Sequence, residues 1–166
     1  MEYQDTAPQE ILNAVYYNLA IRNGGQNEPK TVSGPVTVNG TLNIHSGAWL
    51  VVNAPQVIEL GPTGTYTNSS RFMGSIQSTR PFWGSIEDFG GIGITLFADI
   101  PNGPQTNTAA VPGDVTVKMT SGERIWVGNL PSILRYYDIT DHTPSAWPMT
   151  MIVDYAPQDL AGQNEN

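Results

Sequence analysis

The 166-residue sequence contains no cysteine and few charged side chains, with seven Lys and Arg against fifteen Asp and Glu. The lack of cysteine excludes disulfides, thiol catalysis and a Cys-ligated metal. A net charge of -8 is opposite in sign to a surface that binds phosphate backbones, so nucleic acid and anionic lipid are poor candidate partners. No apolar run approaches the ~18 residues of a spanning helix, and we therefore expect no membrane insertion. The start, Met1 to Asp5, is not the basic beginning of a signal peptide.

Helical periodicity is also scarce and is found only in residues 9–20. In the second part of this segment, however, the apolar residues alternate strictly, at Val15, Tyr17, Leu19 and Ile21. β-Branched and aromatic residues at a period of two favour a half-buried strand. We therefore predict a single strand over residues 14–22.

Residues 31–66 contain short alternating apolar bursts separated by turn sequences rich in Gly, Pro and Asn. Such strands are rungs of a β-solenoid or hairpins of a sandwich. Asn39-Gly40 favours a hairpin, whereas the low charge and the Thr, Asn, Ser and Gly content favour the solenoid, which we prefer. Either arrangement requires the apolar residues of the bursts to point inward together. These residues are Val36, Val38, Leu42, Ile44, Leu50 and Val52.

The second half has longer alternating runs, separated by longer loops and with no helical pattern between them, which is typical of an antiparallel sandwich. The sequence therefore predicts an all-β protein with little or no helix. We expect a solenoid-like segment over 1–70 and an antiparallel β-sandwich over 71–166, or one continuous domain that includes both. We also predict that strands within 132–140 and 147–155 pair antiparallel across the loop 141–146.

Candidate catalytic groups are few and poorly placed. A nucleophile needs a nearby base, and the two histidines, His45 and His142, both lie in turn sequences. His142 has Asp138 and Asp141 near it, but Asp residues in such loops usually cap turns. Glu87 and Asp88 are sequence neighbours and do not form an opposed pair of carboxylates. We therefore expect no enzymatic activity, no cofactor and no metal.

Aromatic side chains provide the remaining candidate binding residues. Flat rings on an exposed sheet can stack on sugar rings, although the same residues commonly pack in a core. Tyr136 and Tyr137 must face opposite sides of their strand. The candidates for sugar stacking are Trp49, Trp83, Trp126 and Trp147.

The strings YYNLAIRNGG and TVSGPVTVNGTLNIHSG resemble the β-helical repeats of large bacterial surface proteins that are exported by the type IX secretion route. The later strings FGGIGITL, GDVTVKMTSGE, SILRYYDIT and MTMIVDYAPQDLAGQNE resemble, in the same order, the β-sandwich module that follows those repeats. The resemblance implies an extracellular or cell-surface location, a mechanical or adhesive role and no known chemistry. Modules of that family usually continue past the NE sequence into a further strand, whereas this sequence stops at Asn166.

These observations predict a non-enzymatic extracellular structural protein that forms a homo-oligomer or homopolymer, as a fibre or surface layer. We expect assembly by β-strand donation, in which residues 10–21 complete a sheet of a neighbouring copy. The alternating side chains of that segment, Val15, Tyr17, Leu19 and Ile21, would fill pockets in the acceptor. The alternative is a carbohydrate-binding or adhesive module of a larger cell-surface protein, with a polysaccharide as its partner.

Overall fold

The computed structural model describes residues 1–4, 7–22, 28–82, 86–98, 113–122, 126–127, 130–131, 134–142 and 149–154. Every regular element in these ranges is a β-strand, which confirms the all-β prediction. The first half is a solenoid and the second half is antiparallel sheet, as the sequence predicts.

About three turns of parallel β-solenoid form the first half. Each turn places short strands on three faces, where they pair with the strands of the next turn. The first turn, with the short strand before it, contains β1 (Glu2–Tyr3), β2 (Gln9–Ile11), β3 (Val15–Tyr16) and β4 (Leu19–Ile21). The second turn contains β5 (Lys30–Val32), β6 (Val36–Val38) and β7 (Thr41–Ile44). The third turn contains β8 (Trp49–Val52), β9 (Ile58–Leu60) and β10 (Thr65–Asn68).

The three faces are parallel sheets. The first face has the order β1-β4-β7-β10, the second face contains β2, β5 and β8, and the third face contains β3, β6 and β9. Strand β11 (Arg71–Pro81) joins two of these faces, because it pairs with β8 near its start and with β9 further along. The second and third faces are therefore linked through one long strand.

Gly74 is the point at which β11 passes from the second face to the third. Its φ of +112° lies in a region that L side chains rarely adopt. A Cβ at this position would also collide with the carbonyl oxygen of Val52. Glycine thus allows β11 to pass tightly against the third turn.

The second half extends the third face and adds further antiparallel sheets. Its strands are β12 (Glu87–Asp88), β13 (Ile94–Ala98), β14 (Asp114–Ser121), β15 (Trp126–Val127), β16 (Leu130–Pro131), β17 (Arg135–Asp141) and β18 (Met149–Val153). Strand β14 pairs antiparallel with β11, and β17 pairs antiparallel with the other edge of β14. The sheet β12-β13-β18 is also antiparallel, and β15 pairs with β16.

A single hydrophobic core runs through both halves. The six apolar residues that we predicted to point inward, from Val36 to Val52, are all buried, which confirms that prediction. The same cluster includes Val115, Val117 and Met119 of β14 and Ile94 and Leu96 of β13. Alternate residues of strands such as β6, β7 and β8 reach this core because neighbouring side chains point to opposite sides of the sheet.

Two predictions about strands are wrong. Residues 14–22 form two short strands, β3 and β4, because the chain turns a corner of the solenoid between them. Strands β17 and β18 share no ladder among the described residues, since β17 pairs with β14 and β18 with β13. The preference for a solenoid over a hairpin at Asn39-Gly40 is confirmed, because these residues lie at a corner between β6 and β7, which pair with other turns.

Candidate functional site

The four residues predicted to act in assembly do not share one face. Leu19 and Ile21 are buried, whereas Val15 and Tyr17 are exposed and Tyr16 is buried between them. Two consecutive exposed residues, Tyr17 and Asn18, form the corner and shift the phase of the alternation. The segment is already paired within its own chain, with β3 against β6 and β4 against β7.

The first turn presents three exposed apolar side chains at one end of the solenoid. Leu12, Val15 and Tyr17 are 64%, 69% and 76% exposed, and we call these residues the first-turn end. Beneath them the Tyr3 and Tyr16 hydroxyls lie 3.3 Å apart, and the Tyr16 hydroxyl donates to the Leu12 carbonyl at 2.7 Å. Burial raises the pKa of Tyr16, and its hydrogen bond with Tyr3 raises it further. The first turn is therefore closed by two hydrogen-bonded tyrosines and carries an apolar rim.

Two strand edges are open at this same end among the described residues. Strands β1 and β3 begin the first and third faces, and each pairs with a described strand on one side only. Strand β17 lies at the other end of the third face, where it pairs with β14. An open edge presents unpaired N–H and C=O groups to which another strand can add.

Only one of the four tryptophans proposed for sugar stacking has a described side chain. Trp49 is half-buried, and the Arg71 guanidinium carbon lies 4.8 Å from its ring centroid. The ring is thus already stacked against a cation and is not a bare platform. Trp126 lies in β15, but its side chain is outside the described residues. Trp83 and Trp147 also lie outside them.

The candidate catalytic groups have structural contacts. The His142 Nε2 lies 2.8 Å from the Thr116 hydroxyl, and His45 lies in the turn before β8. Glu87 lies 3.6 Å from Arg80, and Asp88 accepts a hydrogen bond from the Gly91 N–H. No group of three or more His, Asp or Glu residues in the described part of the chain could hold a metal ion.

A cleft of about 470 Å³ lies at the corner between the second and third faces, and we call it the corner cleft. Met73 pairs with Val51 before the corner, and Ile76 pairs with Ile58 after it. Strand β11 therefore crosses the corner with two residues, whereas the third turn uses the six residues 52–57. The longer loop stands away from β11 and leaves the cleft between them. Its polar and aromatic lining consists of Asn53, Gln56, Ser75, Lys118, Thr120, Ser121 and Tyr136.

A second cleft of about 270 Å³ adjoins the first, and we call it the tryptophan cleft. Met73 and Ser121 line both clefts. The other described residues that line the tryptophan cleft are Trp49, Asn68, Ser70, Arg71, Phe72, Gly122 and Leu134. The buried indole N–H of Trp49 has no hydrogen-bond partner among the described residues.

Most of these lining residues carry no signal in the sequence. The sequence points to Trp49 as a stacking residue and predicts that Tyr136 and Tyr137 face opposite sides of their strand. The second prediction is confirmed, because Tyr136 lines the corner cleft while Tyr137 packs against the core and donates to the Ile92 carbonyl at 2.9 Å. It did not identify Arg71 or the loop 53–57. Gly74, a glycine inside an alternating run, was the available signal for an irregular corner.

Comparisons with protein-family models, with curated proteins and with solved structures found no match. In the described residues, no helix has the length and apolar character needed to cross a bilayer.

Proposed function

We propose that this protein is a non-enzymatic structural protein of the extracellular space or cell surface, and that it assembles with copies of itself. The open sheet edges at the first-turn end are the observation that carries the proposal. The resemblance to exported bacterial surface proteins supports the location, and the exposed apolar side chains beside the open edges support the assembly.

Apolar exposure coincides with open edges at the first-turn end. Natural proteins usually protect such edges with charge, proline or a covering segment. Here Val15 is exposed on the edge strand β3, and Leu12 and Tyr17 lie on either side of that strand. Contact with a second copy would bury these three side chains and pair the main-chain groups beside them.

Strand β17, at the opposite edge of the third face, provides a second surface for the same partner. Asp138, Ile139 and Thr140 of this strand are exposed. Packing the first-turn end of one copy against Ile139 of the next would join the subunits head to tail. A contact between two different surfaces does not close on itself unless a ring forms, so it generates a filament.

Replacement of Val15 by Lys tests the proposal. A lysine at the centre of an edge contact must lose its hydration, and we expect Val15→Lys to be monomeric where the parent chain forms particles that grow with concentration. Ile139→Lys should have the same effect if the contact is head-to-tail. Light scattering after size-exclusion chromatography measures the mass, and electron microscopy identifies filaments.

Ile86→Lys is the matched control, because Ile86 is 74% exposed and lies outside both strands. It should assemble as the parent chain does, while circular dichroism shows that all three variants are folded. A parent chain that remains monomeric at every accessible concentration would refute the proposal. Loss of assembly with Val15→Lys but not with Ile139→Lys would replace the head-to-tail contact with a symmetric contact between two first-turn ends.

A further inference from the structure

We propose that the corner cleft and the tryptophan cleft together bind an acidic polysaccharide, with Arg71 binding the carboxylate of a uronic acid unit. This site uses different residues from the first-turn end and does not depend on assembly. It is formed where β11 and β14 pass the third turn of the solenoid.

The two clefts differ in charge from the rest of the molecule. The chain has fifteen Asp and Glu against seven Lys and Arg, yet none of the described residues that line the two clefts is a carboxylate, and these residues include Arg71 and Lys118. Two other clefts in the described residues are lined by carboxylates, one by Glu59 and Asp114 and the other by Glu10. The local charge therefore favours an anionic ligand.

Arg71 is the cation available to such a ligand. Lys118 is partly neutralised by Asp138, with 3.2 Å between the Lys118 Nζ and the Asp138 Oδ2. Arg71 is exposed, and no carboxylate of the described residues forms an ion pair with it. A guanidinium that stacks on an aromatic ring still has N–H groups in its plane that match a carboxylate with two hydrogen bonds.

Trp49 fixes Arg71 at the tryptophan cleft. The Trp49 ring is half-buried, and the Arg71 guanidinium carbon lies 4.8 Å from its centroid. Stacking on the ring restrains the guanidinium without using its N–H groups, which stay available to a ligand carboxylate.

The corner cleft fits the neutral part of a sugar chain. Tyr136 presents a half-buried aromatic ring, and Asn53 and Gln56 add amide groups on the facing loop. Sugar rings combine apolar C–H faces with hydroxyls that donate and accept, so an aromatic ring beside amides is the lining they require. The Ser75 and Thr120 hydroxyls, 2.8 Å apart, lie on the floor between them.

An extended acidic peptide is the competing anionic ligand, and the position of the clefts disfavours it. Peptides commonly bind by adding a strand to an open sheet edge. At the corner cleft β14 pairs with one side of β11, and on the other side only Gly74 and Ser75 lie between the ladder to β8 and the ladder to β9. Two residues are too few for a peptide strand to pair with, so the clefts offer side-chain donors rather than a sheet edge, which suits a saccharide better than a peptide.

Calorimetric titration with an oligogalacturonate, and with a neutral cello-oligosaccharide of equal length, tests the proposal on the full chain. We expect the uronate to bind and the neutral sugar to bind more weakly, with the difference reduced by added salt. Arg71→Gln should weaken uronate binding by about tenfold or more, because it removes the charge-assisted bidentate contact. Tyr136→Leu should weaken the binding of both sugars, since it removes the aromatic ring but keeps an apolar side chain.

Arg22→Gln is the matched control, because it also removes one exposed positive charge but lies in the first turn, where Arg22 pairs with Glu2. Its uronate affinity should stay within ~2-fold of the parent value, as expected for a distant surface charge. Equal losses for Arg71→Gln and Arg22→Gln would overturn the site. No binding of the uronate, or tighter binding of polyglutamate than of the uronate, would overturn the ligand class. Thermal melts of each variant confirm that the fold is retained.

Discussion

Glu59 lies on the outer side of the third face, in a cross-strand row with Gln77, Lys118 and Asp138. Burial raises the pKa of its carboxyl group. The hydrogen bond from the Gln77 Nε2 to the Glu59 Oε2, 2.5 Å long, opposes this rise because it favours the ionised form. Burial has the larger effect, so ionisation of Glu59 destabilises the fold relative to the unfolded chain.

This raised pKa predicts a pH-dependent stability difference between the parent chain and Glu59→Gln. The folded state holds the proton at a pH where the unfolded chain, with a glutamate pKa of about 4.3, has lost it. Stability contributed by Glu59 is therefore fully present below that value and is lost as the pH rises through the higher folded pKa. Urea unfolding at a series of pH values should show Glu59→Gln gaining stability relative to the parent chain as the pH rises through this window.

Glu10→Gln provides the comparison, because Glu10 is an exposed carboxylate of the first turn. If the free energies of unfolding of Glu59→Gln and the parent chain differ by the same amount at every pH, burial does not control the ionisation of Glu59.

Strands β17 and β18 show that strand pairing cannot be predicted from the apolar alternation of neighbouring segments alone. Both are alternating apolar segments separated by a loop of hairpin size, which is why the sequence predicts that they pair together. In the structure, β14 lies beside β11 and presents its other edge to β17, while β13 provides the edge for β18. Pairing follows the edges that the core leaves open, and those edges belong to strands far away in the sequence.

The observed pairing predicts which engineered cysteines can form a disulfide. Lys118 and Asp138 are directly opposite on β14 and β17, at a separation that a disulfide can span. The double variant Lys118→Cys and Asp138→Cys should therefore oxidise to an intramolecular disulfide. Thiol titration and non-reducing electrophoresis measure it, and no native cysteine competes.

The pair Asp138→Cys and Met149→Cys is the control, because these residues would be directly opposite in the predicted hairpin, whereas in the observed pairing they should retain both thiols. Efficient cross-linking of this control pair would restore the hairpin that the sequence predicts. Loss of the ion pair between Lys118 and Asp138 should matter little to stability, since exposed ion pairs contribute about 0–1 kcal/mol.

At the scale of the whole molecule, the solenoid and the antiparallel part share a strand and a core. Strand β11 pairs with β8 and β9 of the solenoid and with β14 of the second half. The buried cluster is continuous from Tyr3 to Met119. The division of the chain at residues 70 and 71 stays a prediction, and the shared core allows it to be tested by unfolding.

We predict one cooperative unfolding transition for the whole chain. Circular dichroism and tryptophan fluorescence should report the same urea midpoint, because neither half can lose its packing without exposing the other. Leu42→Ala in the solenoid and Val117→Ala in β14 should each lower that common midpoint. For Leu42→Ala the free energy of unfolding should fall by about 2–5 kcal/mol. Two separated midpoints, each shifted by only one of these substitutions, would establish two independent domains.

The sequence by itself determined the all-β class, the solenoid of the first half and the inward direction of residues such as Leu42 and Ile44. These are local properties. Apolar residues at every second position between two turns determine which side of a strand is apolar, whichever strand it pairs with. The same local alternation was misleading at Val15 and Tyr17, where a corner interrupts the strand and shifts the phase.

The tertiary structure alone decided the strand partners, the open edges and the two clefts. The corner cleft exists because β11 passes the corner at Gly74 with few residues, whereas the third turn needs the loop 53–57 for the same corner. The periodicity of a sequence does not show that these two segments lie side by side. Arg71 and Trp49 become one site because the coil brings residues a full turn apart onto neighbouring strands. Such contacts depend on the packing of the whole solenoid, whereas the alternation within each strand depends only on its own residues.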